Sequence, residues 1–152
     1  MSSDSEASIR SEAQDTLLVS AMLFARILLA ATGLMFFIHG LICFIHPATI
    51  GIESGLAMPT PGSILEVRAE YGGLPMALGL FFLAAAMQKV RIRTGLLVMV
   101  TVLSGYASAR IAAALIVAHI DPYNAAAIAY ELTSAALGFW ALKRGQSPFS
   151  KG

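Results

Sequence analysis

The stretch LLVSAMLFARILLAATGLMFFIHGLICFI, Leu17–Ile45, carries a single charge, Arg26, and decides the fold class. As one helix, its roughly 29 residues would extend about 43 Å at 1.5 Å per residue, more than the roughly 30 Å of bilayer hydrocarbon. The membrane part is therefore expected at Ile27–Ile45. Arg26 then snorkels at one interface, Leu17–Ala25 extends beyond it, and Pro47 closes the segment. Three further runs resemble it. Tyr71–Met87 is lengthened by a helix-compatible Ile64–Glu70, with Ser63 and Glu66 spaced as a capping box. Gly95–Ile120 is interrupted only by Arg110 and His119. Tyr123–Leu142 follows Pro122, a residue suited to a helix start, and is interrupted only by Glu131.

Working outward, the whole chain of 152 residues is 57% hydrophobic and 12% charged, with a net charge of +1 and one cysteine. An ordinary soluble domain is about 25% charged. These values exclude a disordered chain, a soluble two-domain enzyme, a disulfide scaffold and a nucleic-acid binder. The runs lack strict apolar–polar alternation, so a β-barrel is not expected. The fold expected is all-α, an integral membrane four-helix bundle with spans at about 27–45, 67–87, 95–119 and 124–142. Residues 1–16 read as a mobile polar tail, 17–144 as the transmembrane domain and 145–152 as a C-terminal tail. The acidic start of the chain is the reverse of a signal-peptide n-region.

Lys and Arg set the orientation. Lys89, Arg91 and Arg93 fill the second connection, Lys143, Arg144 and Lys151 follow the last span, and Arg10 and Arg26 precede the first. The first and third connections carry none, so both termini are expected in the cytoplasm, with the chain in the inner membrane and Trp140 as an interfacial anchor.

Charges that orientation leaves unexplained then stand out. A charge at the bilayer centre costs about 2.5–3.5 kcal/mol on insertion scales and normally faces a partner or water. Counting along the helices places His39, Glu66, Arg68, Glu70, Arg110 and Glu131 in the outer half. Glu66 and Glu70 share a face at i and i+4, as do Tyr106 and Arg110, and Arg68 and Tyr71 share one at i and i+3. Arg68 is expected to pair with an acid on another helix, and Arg110 with Glu131 or Glu70. Ring hydroxyls of Tyr71, Tyr106 and Tyr130 would complete a polar cluster holding the anionic or carbonyl group of a ligand. The same pairs equally suit a purely structural lock on helix register.

Gly72, Gly73, Pro75 and Gly79 follow the charged turns of the second helix. Pro75 cannot donate to the Tyr71 carbonyl, so a kink or open backbone is expected there. Gly105, Ala109 and Ala113 form a small-residue stripe on the third helix that reads as a packing seam. The turn-rich first loop is a candidate lid. His39, Cys43 and His46 share a face at a spacing that suits a soft metal, but packing and capping explain them as well, and no metal or cofactor is expected.

The segments Glu66-Val67-Arg68-Ala69-Glu70-Tyr71-Gly72-Gly73, Gly105-Tyr106-Ala107-Ser108-Ala109-Arg110 and Tyr130-Glu131 resemble the domain of unknown function 4345 family over roughly Arg26–Lys143. The resemblance implies small, mostly bacterial, four-helix membrane proteins, distantly similar to the DoxX-like group. It marks Arg68, Glu70, Gly72, Gly73, Arg110 and Glu131 as motif positions and implies no activity. Three functions stay open: binding or moving a small polar or amphiphilic molecule, a structural or accessory subunit, and a membrane redox or acid–base enzyme. The expected partners are the lipid bilayer, a small-molecule ligand, and a second copy of the chain or another membrane protein.

Overall fold

The computed structural model describes residues 3–144, and within them every regular element is helical. The expected C-terminal tail, Lys151 included, lies outside the described residues. In chain order the elements are α1 (Ser3–Ile45), α2 (Ala48–Ser54), α3 (Pro61–Val67), a π-helical turn (Arg68–Gly73), α4 (Leu74–Met87), a 3₁₀ turn (Lys89–Arg91), α5 (Ile92–Val117) and α6 (Pro122–Arg144). Four helical stretches are long and apolar enough to cross a membrane: Glu12–Ile45, Pro61–Met87, Lys89–Val117 and Pro122–Arg144.

Helix α1 begins at Ser3 and so takes in residues 3–16, which the sequence reading assigns to a tail. This segment holds neither glycine nor proline to break a helix, although its four serines and two aspartates make it a weak helix former by itself. The apolar helix beyond it supplies the nucleus that a short polar helix lacks. Arg26 does more than snorkel: its Nε donates to the Ala86 carbonyl at 2.9 Å, capping the last turn of α4.

Helices α1 and α4 form the most extensive contact, and α5 and α6 the next. The first pair is antiparallel and joined through glycines. A Cβ on Gly79 would lie 2.6 Å from the Gly33 carbonyl oxygen and 2.6 Å from the Phe37 nitrogen. One heptad away, a Cβ on Gly40 would lie 2.6 Å from the Gly72 carbonyl oxygen. Both helices therefore touch backbone to backbone, which only glycine permits. Helix α5, by contrast, leaves Gly105 with no neighbour within 4 Å and Ala109 and Ala113 exposed, so the expected packing seam is not one. The α5–α6 contact uses other positions, among them Met99 and Val100 against Gly138.

The two pairs close on each other at the end nearer the termini. There Leu29, Phe82, Met99 and Leu103 are fully buried, Phe36 meets Phe82 edge to face, and Phe24 meets Trp140 likewise at 5.1 Å. At the opposite end, α2 folds back so that Ile50 is fully buried beside Cys43 and Val67, with Met58 and Tyr123 packed against them. The first loop is thus partly helical and anchored. Its exit into α3 is capped by Thr60, whose Oγ1 accepts from the Ser63 backbone N–H at 3.1 Å while the Ser63 hydroxyl accepts from the Thr60 N–H. The cap is therefore three residues earlier than expected. Pro61 explains the shift, being placed at the first helical position, and Glu66 has no capping role.

Candidate functional site

Proline 75 shapes the first wall of the site. Lacking an N–H, it cannot continue the α ladder, and the preceding turn widens into π geometry, with the Leu74 N–H donating to the Ala69 carbonyl. The expected open backbone takes this form. Such single π turns often mark functional positions. Glu70 and Tyr71 sit on this turn, and α5 and α6 supply the facing wall.

Across that gap, Arg110 on α5 donates from Nε to Glu131 Oε1 on α6 at 3.0 Å, as expected, in the one ion pair among the described residues. Its Nη1 donates to Asn124 Oδ1. Asn124 in turn donates from Nδ2 to Asp121 Oδ2 at 2.6 Å, and its backbone N–H donates to Asp121 Oδ1 at 2.9 Å. Asp121 is thereby the N-cap of α6, with Pro122 as its first residue. The side-chain bond from Asn124, followed by its backbone N–H, holds the Asp121 carboxyl below the usual carboxylate range. A continuous polar chain therefore runs from an interior carboxylate to the α5–α6 turn, where Ala118 adopts a left-handed conformation, φ 54°.

Glu131 is only 6% exposed, and its Oε2 and the Tyr130 hydroxyl are buried without a hydrogen-bond partner. Arg110 is more open, at 27% for its side chain, and its Nη2 donates to no described residue. Tyr123 lies beneath the guanidinium, 6.0 Å from it to the ring centroid.

Between the two helix pairs lies a cavity of about 610 Å³, within the roughly 300–1,000 Å³ of pockets that hold small molecules. His39, Glu70, Tyr71, Tyr106, Arg110 and Glu131, six of the seven candidate binding residues, line it. So do Tyr123 and Tyr130, so that all four tyrosines of the chain face one space. Apolar side chains, among them Met35, Phe36 and Leu103, complete the lining.

Arg68 is the exception. It is exposed, lies outside the cavity and forms no ion pair with any described residue, so the expected pairing with an acid is absent. The i, i+3 argument that put it beside Tyr71 assumes α-helical pitch, and the π turn between them breaks that register. The site has one arginine where the sequence reading supplied two. Gly72 serves packing, its position for a Cβ being 2.9 Å from that of Phe44, whereas Gly73 meets only the Arg68 carbonyl, at 3.8 Å. His39 Nε2 and Cys43 Sγ lie 3.6 Å apart, within reach of a weak hydrogen bond. No group of three or more metal-ligating side chains gathers among the described residues.

Asn124 and Tyr123 escape the sequence reading because it starts from the charges within the spans and adds only the tyrosines adjacent to them or one helical turn away. A signal was present: Asp121-Pro122-Tyr123-Asn124 is a helix start, and the N-cap geometry turns Asn124 back toward Asp121.

The fold and site together define an all-helical protein with four membrane-compatible helices and a tyrosine-rich cavity containing one partly buried ion pair. The family model described as a domain of unknown function, DUF4345, matches residues 24–142, and the chain belongs to that family. Comparison with curated proteins and with solved structures gives no significant match.

Proposed function

We propose that the chain is a multi-pass protein of the inner membrane, with both termini in the cytoplasm, whose cavity at the outer helix ends binds a small amphiphilic molecule. Lys89, Arg91, Arg93, Lys143 and Arg144 at the end nearer the termini support this orientation through the positive-inside rule. The observation that carries the binding reading is Glu131, a buried carboxylate with one oxygen held by Arg110 and the other unpartnered, in the wall of a mostly apolar cavity. An unsatisfied buried acceptor costs about 1–3 kcal/mol, more when charged, and a ligand donor would remove that cost. Apolar walls take the body of the ligand and the tyrosine hydroxyls adapt to its polar end. Four helices leave little room for a pathway within one chain, so any movement of the ligand across the bilayer requires a second copy.

The test is extraction of the full chain in polymer-bounded discs of native membrane, followed by mass spectrometry of co-purified small molecules. The parent is expected to carry one such molecule. Ala127→Trp, which fills the cavity from α6, is expected to lose it while remaining folded. An empty parent cavity would refute the reading.

A further inference from the structure

Of the arginine, lysine and carboxylate side chains, Glu70, Arg110 and Glu131 reach the cavity, one base against two acids, and the imidazole of His39 lines it as well. Arg110 is not available as a free cation, because Glu131 Oε1 sits 3.0 Å from its Nε. The next charged group along the polar chain, Asp121, is again an acid, and Arg68, the other arginine near this end, lies outside the cavity. An anionic head group would therefore meet a net negative wall. One buried acceptor is left open: Glu131 Oε2 has no partner, and the Tyr130 hydroxyl beside it, which can donate or accept, has none either. Glu70, Tyr71 and Tyr106 line the cavity and are themselves exposed, placing its mouth between the π turn and α5 rather than at the helix ends. A mouth on the side of a membrane-spanning protein opens to lipid.

From these observations we infer that the cavity selects a single-tailed amphiphile with a neutral or cationic hydrogen-bond-donating head, a hydroxyl or an amine, admitted sideways from the bilayer, and that it disfavours carboxylates and other anions. The inference rests on the binding reading above and names its ligand class. A hydroxyl fits because it donates to Glu131 Oε2 while accepting from Arg110 Nη2 or a tyrosine; an amine adds attraction to Glu70 and Glu131. The apolar tail lies along the Met35, Phe36 and Leu103 side of the cavity.

The probes are decan-1-ol, decylamine and decanoate, which share one tail and differ in the head. Each is titrated onto the full chain in phosphatidylcholine nanodiscs, and the saturable shift in thermal midpoint is compared with that of Ala127→Trp in the same discs, which removes effects of the bilayer itself. The alcohol and amine are expected to bind at least about tenfold more tightly than decanoate, with no saturable shift in the filled variant. Glu70→Gln, at an exposed position outside the ion pair, should reduce the preference for decylamine over decanoate several-fold. Decanoate binding as well as or better than the other two overturns the ligand class and leaves the binding reading standing. A cavity-dependent response to none of the three overturns both.

Discussion

Replacing Gly79 with alanine tests the backbone contact on which the α1–α4 pair rests. The added methyl carbon would lie 2.6 Å from the Gly33 carbonyl oxygen, 2.6 Å from the Phe37 nitrogen and 2.9 Å from the Phe37 Cβ. The first two are backbone atoms of a long helix, so no rotamer change relieves the clash, and α1 and α4 must separate by about 1 Å to reach van der Waals distance. Overpacking of this kind costs about 1–3 kcal/mol, while alanine returns about 0.8–1.0 kcal/mol of helix propensity. The net expectation is a destabilisation of about 0–2 kcal/mol, at the upper end if the Gly40–Gly72 contact loosens as well. Gly105→Ala supplies the comparison, because nothing lies within 4 Å of its position for a Cβ. There only the propensity gain of up to about 1 kcal/mol applies. Unfolding by sodium dodecyl sulfate in mixed micelles measures both, with the fluorescence of Trp140, the single tryptophan, as reporter, since its ring packs 5.1 Å from Phe24. If Gly79→Ala proved as stable as Gly105→Ala, the glycine contact would not hold these helices together.

Two further outcomes follow from the polar chain. Arg110→Leu strands a carboxylate that is only 6% exposed and should cost about 3–5 kcal/mol, whereas Glu131→Leu should cost less because Arg110 is partly open and keeps Asn124; the double variant should recover much of the Arg110→Leu loss, and strictly additive losses in the same unfolding assay would refute the pairing. Asp121 has its carboxyl pKa lowered in the folded chain, so its stabilisation is fully present above the ordinary carboxylate value of 3.8 and is lost as the pH falls through the lower folded value. The thermal midpoint of the parent should therefore exceed that of Asp121→Asn at pH 6 and converge on it toward pH 2–3, and a gap that persisted there would show that the carboxylate's charge is not what holds the α6 start.

The helices were legible because bilayer-length apolar runs leave few alternatives, and the Arg110–Glu131 pair was legible as one of two, Glu131 or Glu70, because charges within such runs are scarce. Arg68 defeated the same reasoning through geometry. Its predicted neighbour Tyr71 was placed by α-helical pitch, and Pro75, four residues further on, converts the intervening turn to π. A proline in the sequence signals irregular backbone, but not by how much the side-chain register upstream of it shifts. The glycines divide in a similar way. Gly72 and Gly79 stood out beside Pro75, yet their partners Gly33 and Gly40 lie in the apolar run of α1, where sequence alone does not tell lipid-facing from helix-facing positions. Gly105, Ala109 and Ala113 look like a better seam than either pair and face the open side of α5.

That contrast explains where the cavity comes from. The seven-residue spacing of Gly33 and Gly40 matches that of Gly72 and Gly79, so α1 and α4 meet closely along two heptad-related contacts and draw the π turn against Phe44. Helix α5 has no equivalent glycine contact toward α1 at the end away from the termini, and instead leans on α6 through Arg110, Glu131 and Asn124. One pair is held by backbone contact and the other by a polar chain, and their ends away from the termini do not close on each other. The space left between them collects every tyrosine in the chain. Tyrosine suits that position because its ring fills apolar volume while its hydroxyl tolerates either a donor or an acceptor opposite. A purely structural ion pair would need no such chamber; it would be better served by leucines packed around Arg110 and by a donor for Glu131 Oε2 within the protein itself.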